Sequence, residues 1–481
     1  MKKKVLITSI VIASLALMAA PISQAIITFG VPSQFDETYY GELASMYHKL
    51  KNTKGKKIVL LGNSNIAFGV NSALLQEELS YDQLDYEVCN FGLYGSIGTK
   101  VMLELSKPYI QKDDIVIFSP ELYQQPLSLY FSAKEFLYSL DSDFSMLLDI
   151  SDEEKKEVFG NLYSYNQEKL KYATSSKPTG TTTYTKASFD ENCDMTRLNR
   201  TVNQMPDYYD SNNPITFDSS LFTQDFVDYV NNYYKDISSR GASMYYSYAP
   251  MNSAAIKTNW MNISLFHDDL INLFDFKMLS SPYNYILDKA WFYDSNFHLN
   301  TPGMTYRTLN LASDIKNEFG LNTPLHTSYP ETPALPEIEE ADDPNADDSF
   351  VDDFEYTLNE DYYIITGLKE EASTKKNIVI PYHYNNKKIK SFSSNVFKGN
   401  SNIEHITIQK NIKILKDYSF DNCTNLQDIK LLQTNPDRLS VGFYFLNNTT
   451  TAKILVQKDS LDEFTSHYFW GHYAGRYETY E

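Results

Sequence analysis

Cysteine is scarce in this chain: three residues in 481, at positions 89, 193 and 423. An odd and scattered set builds no disulfide framework and matches no zinc-ligand spacing. Cys89 lies in an apolar run where a thiol serves as a small hydrophobe. No metal and no cofactor are expected. Basic charge is also short, with 42 Lys and Arg against 62 Asp and Glu, a formal balance of −20. That excludes a surface built to hold phosphate backbones or anionic lipid, so nucleic acid is not a partner. The N-terminus carries a long uncharged, apolar run. Met1 to Lys4 supply a positive start, Val5 to Ala20 carry no charge, and "PISQA" ends on small residues suited to cleavage after Ala25. The apolar character continues through Ile26 and Ile27, so residues 1–27 read either as a signal peptide or as an N-terminal membrane anchor. No lipid-attachment cysteine follows. Either way the rest of the chain is expected outside the cytoplasm, extracellular or at the cell surface.

What is present divides into regimes, as a chain too long for one core must. Residues 28–321 alternate apolar strand-like runs with amphipathic helical patterns, the signature of an α/β layer structure with a mainly parallel sheet. Expected strands are Lys57 to Leu61, Tyr86 to Phe91, Asp114 to Ser119 and Met244 to Tyr248. A helix from Ile97 places Ile97, Val101, Leu105 and Tyr109 on one face, and another runs from Phe222 to Ser238. Between about 124 and 217 the rhythm breaks into a Tyr- and Ser-rich insertion containing "KPTGTTTYTK", part helical from Ser132 to Leu170. It reads either as a cap over a substrate site or as a structural decoration. The 38 tyrosines suit wet surfaces that contact sugars, although tyrosine is also a common core residue.

Residues 322–355 are rich in Pro and acid and read as a solvated linker. Residues 356–481 contain an internal repeat. "VFKGNSNIEHITI" from Val396 and "SFDNCTNLQDIKL" from Ser419 align at an offset of 23 residues. Phe397 then matches Phe420, Ile406 matches Ile429 and Ile408 matches Leu431, predicting a solenoid with one short strand per coil and stacked phenylalanines inside. Cys423 falls in the turn before a strand. With its opening "YYIITGL" and "NIVIP" and its ending "AKILVQKDSLDEFTSHYFW", this tail resembles the bacterial surface-antigen type of leucine-rich repeat. The resemblance implies attachment to a cell-wall or host-surface ligand.

Three stretches can carry chemistry. "LGNSNIAFGV" ends a strand on Gly62-Asn63-Ser64-Asn65, at the carboxyl edge of the sheet where α/β proteins bind ligands. Serine there suits a nucleophile, and a turn leading into a helix offers backbone N–H groups to an oxyanion. Serine and asparagine are equally ordinary turn and cap residues. "NFGLYGS", Asn90 to Ser96, carries Gly92 and Gly95, spaced so that a backbone N–H can approach a substrate. "WFYDSNFHLNTPG" places Asp294 and His298 before a helix beginning near Gly303, where an acid can hold an imidazole in the tautomer that deprotonates serine.

Together these blocks resemble the SGNH, or GDSL-type, hydrolase superfamily. The resemblance implies a flavodoxin-like three-layer domain and a serine esterase or O-acyltransferase acting on acyl, above all acetyl, esters of surface or extracellular glycans. It assigns Ser64 as nucleophile, His298 as base, Asp294 as its partner, and the N–H groups of Ser64 and Gly95 as the oxyanion hole, with Gly92 as the alternative to Gly95. Asn65, Asn90, Glu121 and Asn300 are candidates for binding substrate or orienting the others. "LGNSNIAFGV", "NFGLYGSIG", "DDIVIFSPE" and "FHLNTPG" are similar to an exported, membrane-tethered branch that modifies cell-wall or exopolysaccharide acyl groups. Two blocks depart from the family pattern. The third usually contributes an asparagine, where this chain has Ser119-Pro120-Glu121. The last is Asp-x-x-His, where this chain has Asp294-x-x-x-His298. The extra residue predicts a serine–histidine dyad, or a carboxylate such as Glu121 orienting the imidazole. The alternative function is a non-catalytic surface binding protein with a degenerate scaffold and ligand-binding repeats.

Overall fold

The computed structural model describes residues 21–93, 95–175, 184–335, 343–359, 362–442 and 444–481. The uncharged segment expected to be a signal or anchor, up to residue 20, and residues 177–183 of "KPTGTTTYTK" lie outside them. The chain divides into two compact units. One comprises Met1–Asp210, Asp218–Asn252 and His267–Leu335, the other Ser211–Phe217, Ser253–Phe266 and Pro336–Glu481.

The first unit is built on five parallel strands, β1 (Lys57–Gly62), β2 (Glu87–Gly92), β3 (Ile115–Ser119), β4 (Ser243–Tyr246) and β5 (Lys277–Met278), in the spatial order β2-β1-β3-β4-β5. All residues of β1 and β3 are buried, as a sheet covered on both faces requires. Alternation along the strands sends Ile58, Leu60, Val88, Ile115 and Ile117 to one face. There they meet Leu75 and Leu79 of α3 (Ser72–Ser80) and Leu311 and Ile315 of α8 (Thr301–Glu318). α1 (Glu42–Asn52), α2 (Ser64–Gly69), α4 (Thr99–Ser106) and α7 (Gln224–Ser239) complete the layers. β1 and β3 are neighbours from which the chain departs in opposite directions, so their carboxyl ends flank the crevice at which the strand order reverses.

Several element ends differ from expectation for local reasons. The helix expected from Ile97 begins at Thr99, because Gly98 takes a φ of 111° that ends the preceding turn. Tyr109, expected on its last turn, lies in a separate 3₁₀ turn started by Pro108. The helix expected near Gly303 starts at Thr301, with the Asn300 side chain capping it through Gly303 N at 2.9 Å. The insertion holds two helices, α5 (Ala133–Leu140) and α6 (Asp152–Ala173), separated by a 3₁₀ stretch. Within the stretch that reads as linker, Thr323 Oγ1 donates to Asp82 at 2.8 Å, and the backbone N–H groups of His326 and Thr327 donate to Glu78 at 3.0 and 2.7 Å.

In the second unit, Asn377–Val379, His405–Ile408, Asp428–Leu431, Lys453–Gln457 and Tyr477–Tyr480 form one parallel ladder, one strand per coil. Ile406 pairs with Ile429 and Ile408 with Leu431, and the Phe397 and Phe420 rings stack at 5.2 Å, as the repeat predicts. A second sheet runs in the order Ser440–Val441, Ile414–Leu415, Lys387–Phe392, Tyr362–Leu368, Phe354–Asn359. Cys423 is buried inside with its thiol on the Phe397 carbonyl at 2.9 Å, and burial pushes its pKa up to about 11, so it is an inert part of the core. Acidic side chains upstream act as acceptors for backbone, Asp348 Oδ1 taking the N–H groups of Tyr382 and His383 at 2.8 and 2.6 Å.

Candidate functional site

β1 ends at Gly62, level with Ser119 at the end of β3, and α2 starts at Ser64. The helix is one and a half turns long, so its position depends on tertiary anchors rather than on its own propensity. Three are present. The Asn65 amide donates to the Ser119 carbonyl at 3.1 Å, Asn63 Oδ1 accepts from Glu121 N at 3.3 Å, and Arg307 of α8 reaches in with Nη1 on the Asn65 carbonyl at 2.6 Å and Nη2 on Ser119 Oγ at 2.9 Å. Burial lowers the Arg307 pKa to about 10, leaving it charged at neutral pH. At the other edge, β2 must pass close to this turn. A side chain on Gly92 would stand 2.4 Å from Ile66 Cβ, and one on Gly95 would stand 2.9 Å from Tyr123 Oη and 3.5 Å from Asn63 Nδ2.

His298 arrives from the loop before α8. That loop is a closed hairpin: Tyr293 N donates to the His298 carbonyl at 2.9 Å, and Ser295 Oγ accepts from Phe297 N and His298 N at 3.3 and 3.1 Å. The closure turns Asp294 and His298 toward each other. His298 Nδ1 lies 2.8 Å from Asp294 Oδ1 and Nε2 lies 2.8 Å from Ser64 Oγ. The extra residue between acid and histidine is absorbed by the Ser295 turn, so the expected loss of Asp294 from the imidazole does not occur. A carboxylate only accepts, so Nδ1 carries the proton and Nε2 is left to accept from the Ser64 hydroxyl.

Glu121 does not orient the imidazole. Its Oε1 accepts from Asn65 N at 2.9 Å and stands 3.2 Å from Ser64 Oγ. The serine proton therefore has two acceptors, the nearer being the imidazole. Asn90 is occupied elsewhere: it donates to Asp194 at 2.9 Å and accepts from Gly92 N at 3.1 Å. Asn300 caps α8 and donates to the carbonyls of Ala290 and Phe292 at 2.7 and 3.1 Å. Both hold loops in place rather than face the serine.

Two neighbours carry no motif. Phe68, one turn beyond Ser64, stacks flat on the His298 ring, centroids 3.8 Å apart and planes at 6°. Arg200, in the insertion, sits over the phenyl ring at 5.1 Å from its centroid. Its guanidinium binds the carbonyls of Phe68 at 2.6 Å, Met195 at 2.9 Å and Leu299. One buried cation thus ties the serine helix to the histidine loop. The imidazole itself remains partly open, His298 being 16% and Asp294 28% exposed. Chemically the arrangement can move a proton from a serine hydroxyl to an oriented imidazole at the rim of the sheet. Among the described residues, no group of His, Cys, Asp or Glu is placed to hold a metal ion.

Comparison with known proteins locates the tail. Residues 374–474 match the family model of the BspA type leucine-rich repeat region, in six copies. Three solved structures are similar over part of the chain. A Treponema pallidum leucine-rich repeat protein shares 18% identity, with TM-score 0.20, over 22% of this chain and 50% of its own. A leucine-rich cell surface protein of Faecalibacterium prausnitzii shares 18%, with TM-score 0.19, over 24% and 30%. Protein YXIM of Bacillus subtilis shares 11%, with TM-score 0.26, over 56% and 58%. The chain thus spans less than two thirds of each. No curated protein matches it. Residues 374–474 are therefore a leucine-rich repeat region of the BspA type, and the first unit is a mixed α/β one with a parallel sheet.

Proposed function

We propose that the α/β unit is a serine esterase or O-acyltransferase of the SGNH type, exported and acting on acyl esters of extracellular glycans. The observation that carries this reading is the continuous line Asp294 Oδ1, His298, Ser64 Oγ, with both contacts at 2.8 Å, drawn from a helix start and a loop 234 residues apart in sequence. The strand order 2-1-3-4-5 supports the flavodoxin-like layering that this family has, and the crevice lies where that order places it. In the reaction, Nε2 takes the Ser64 proton as Oγ attacks the acyl carbonyl. The N–H groups of Ser64 and Gly95 receive the negative charge on the carbonyl oxygen. The imidazolium then protonates the departing sugar oxygen, leaving an acyl ester on Ser64. Water, or a second hydroxyl, loses its proton to Nε2 and takes the acyl group, and the imidazolium returns that proton to Ser64 Oγ as it leaves. Glu121 stands where the family provides an asparagine donor, and loss of one such donor costs about 100- to 1,000-fold in rate. A modest turnover is therefore expected. The test is hydrolysis of p-nitrophenyl acetate and of acetylated glycans by the full chain. Release that disappears in Ser64→Ala and His298→Ala supports the assignment, and release unchanged in both variants refutes it.

A second reading is favoured by the repeat match at residues 374–474. The repeats bind a cell-wall or host-surface ligand, and the α/β unit is a scaffold without turnover. The outward side of the ladder offers a His405–Asp428 pair at 2.6 Å and Lys430 over the Tyr480 ring at 4.2 Å, a mixed polar and aromatic surface suited to sugar or peptide. A folded wild-type chain that hydrolyses none of these esters yet binds cell walls decides for this reading.

A further inference from the structure

Residues 21–30 form a helix whose polar and apolar sides are reversed. Gln24 and Thr28, one turn apart, face the protein. Asn166 of α6 donates to the Gln24 carbonyl and side chain at 3.1 and 2.8 Å and accepts from Thr28 Oγ1 at 3.1 Å, while Lys169 Nζ donates to the Thr28 carbonyl at 2.9 Å. Ile22, Ile26 and Phe29, spaced i, i+4, i+7 on the other side, are 52, 63 and 71% exposed. A helix lying on a protein in water shows the opposite order, apolar side in and polar side out. Here the outward side is matched to hydrocarbon.

The apolar surface continues onto the elements alongside. Phe159 and Tyr163 of α6 share the i, i+4, i+7 row of Asn166 and are exposed. Phe29 meets the edge of Phe144 at 5.0 Å, and Leu148, in the same 3₁₀ helix as Phe144, is also exposed. Six large apolar side chains grouped this way are not the scattered exposure normal for a water-facing surface. Immediately upstream, the sequence has no Asp, Glu, Lys or Arg from Val5 to Ala20, and Lys2, Lys3 and Lys4 precede that stretch. Such a stretch is apolar enough to enter a bilayer, and the lysines keep its start on the cytoplasmic side.

We infer that the chain keeps its N-terminal segment, and that the face bearing Ile22, Ile26, Phe29, Leu148, Phe159 and Tyr163 lies in the outer boundary of the lipid bilayer that this segment enters. Cleavage after Ala25 would remove Gln24 and leave the Nδ2 of the fully buried Asn166 without its two Gln24 acceptors. The formal charge of −20 leaves no electrostatic attraction to anionic lipid, so the contact is apolar. The inference is independent of any reaction at Ser64.

The test uses the full chain. The three native cysteines are buried, so an environment-sensitive thiol probe can be placed at Leu148→Cys, Phe159→Cys or Tyr163→Cys, with exposed Asp225→Cys as control. In phosphatidylcholine vesicles, brominated acyl chains should quench the three patch probes at least twofold and leave the control unchanged. Protein purified from bacterial membranes should still carry the residues before Ala25. A mature chain starting at Ile26 or later overturns the inference. So do patch probes quenched no more than the control, or a photo-crosslinker at residue 159 that captures another protein instead of lipid.

Discussion

At the level of single residues, the imidazole of His298 is held on three sides: by Asp294 at Nδ1, by Ser64 at Nε2, and by the Phe68 ring against its face. Each contact makes a separate claim. Asp294→Asn replaces the acceptor at Nδ1 by an amide that can present a donor, so the imidazole loses its reason to keep the productive tautomer. Because Asp294 is partly exposed, water can take over some of that role, and kcat should fall about 100- to 1,000-fold rather than to nothing. Phe68→Leu keeps an apolar side chain but removes the flat surface. Turnover of p-nitrophenyl acetate should then drop about tenfold with KM unchanged, since the nucleophile and its helix remain. Phe68→Ala should also lower folding stability by about 3 kcal/mol, measurable by urea unfolding. Ser64 and His298 are legible in sequence because a Gly-x-Ser turn after an apolar strand, and a histidine in a loop entering a helix, are local patterns. Arg200 is not legible. Most of its hydrogen bonds go to backbone carbonyls, which leave no trace in side-chain identity, and its segment has no periodicity. Arg307 left a faint signal, a cation in register with Met304, Leu311 and Ile315 on the buried side of α8.

At the level of elements, what positions the site is the packing of short, weak pieces onto a rigid sheet. α2 is too short to stand alone, and the segment around residue 194 braces it: Met195 N donates to the Ala67 carbonyl at 3.1 Å, and Asp194 takes Ser72 N and Oγ. The same segment places Cys193 beside Glu42 of α1, and burial lifts the Glu42 pKa from 4.5 to about 7. The sign of the linkage follows. Between pH 4.5 and 7 the unfolded chain has released this proton while the folded chain retains it, so folding loses stability as pH rises through that window. The thermal midpoint should therefore rise on acidification from pH 8 to about 5, and Glu42→Gln should reduce that rise. A Glu42→Gln profile parallel to wild type would contradict the reading. In the repeats, stability passes between neighbouring coils. Phe420 stacks on Phe397 and meets Phe445, so Phe420→Ala should cost about 3–5 kcal/mol and loosen both adjacent coils, seen as faster amide exchange across His405–Ile408 and Asp428–Leu431. Later coils escape a fixed-offset reading because the ladder partners Ile378, Ile406, Ile429, Ile454 and Tyr477 are unevenly spaced along the chain.

At the level of the whole molecule, two compact units carry two kinds of surface. One holds a serine and a histidine at the carboxyl edge of a parallel sheet, and the other is a BspA type repeat region with an open ladder. Among the described residues no helix is long and apolar enough to cross a membrane. The division of labour proposed here is acyl chemistry in the first unit and attachment in the second. The α/β alternation and the repeat were legible because each is a periodicity. The acidic stretch between them was harder to read: composition alone does not tell a carboxylate that faces solvent from one that, like Asp348, accepts backbone N–H groups.

The claim on which the account rests is that Ser64 is an activated nucleophile. Treating the folded full chain with a fluorophosphonate probe and locating the adduct by mass spectrometry measures this directly. A single phosphonylated site at Ser64, lost in Ser64→Ala and strongly slowed in His298→Gln, is the predicted result. A wild-type chain that stays unmodified while remaining folded, or an adduct on another serine that persists in Ser64→Ala, would contradict it.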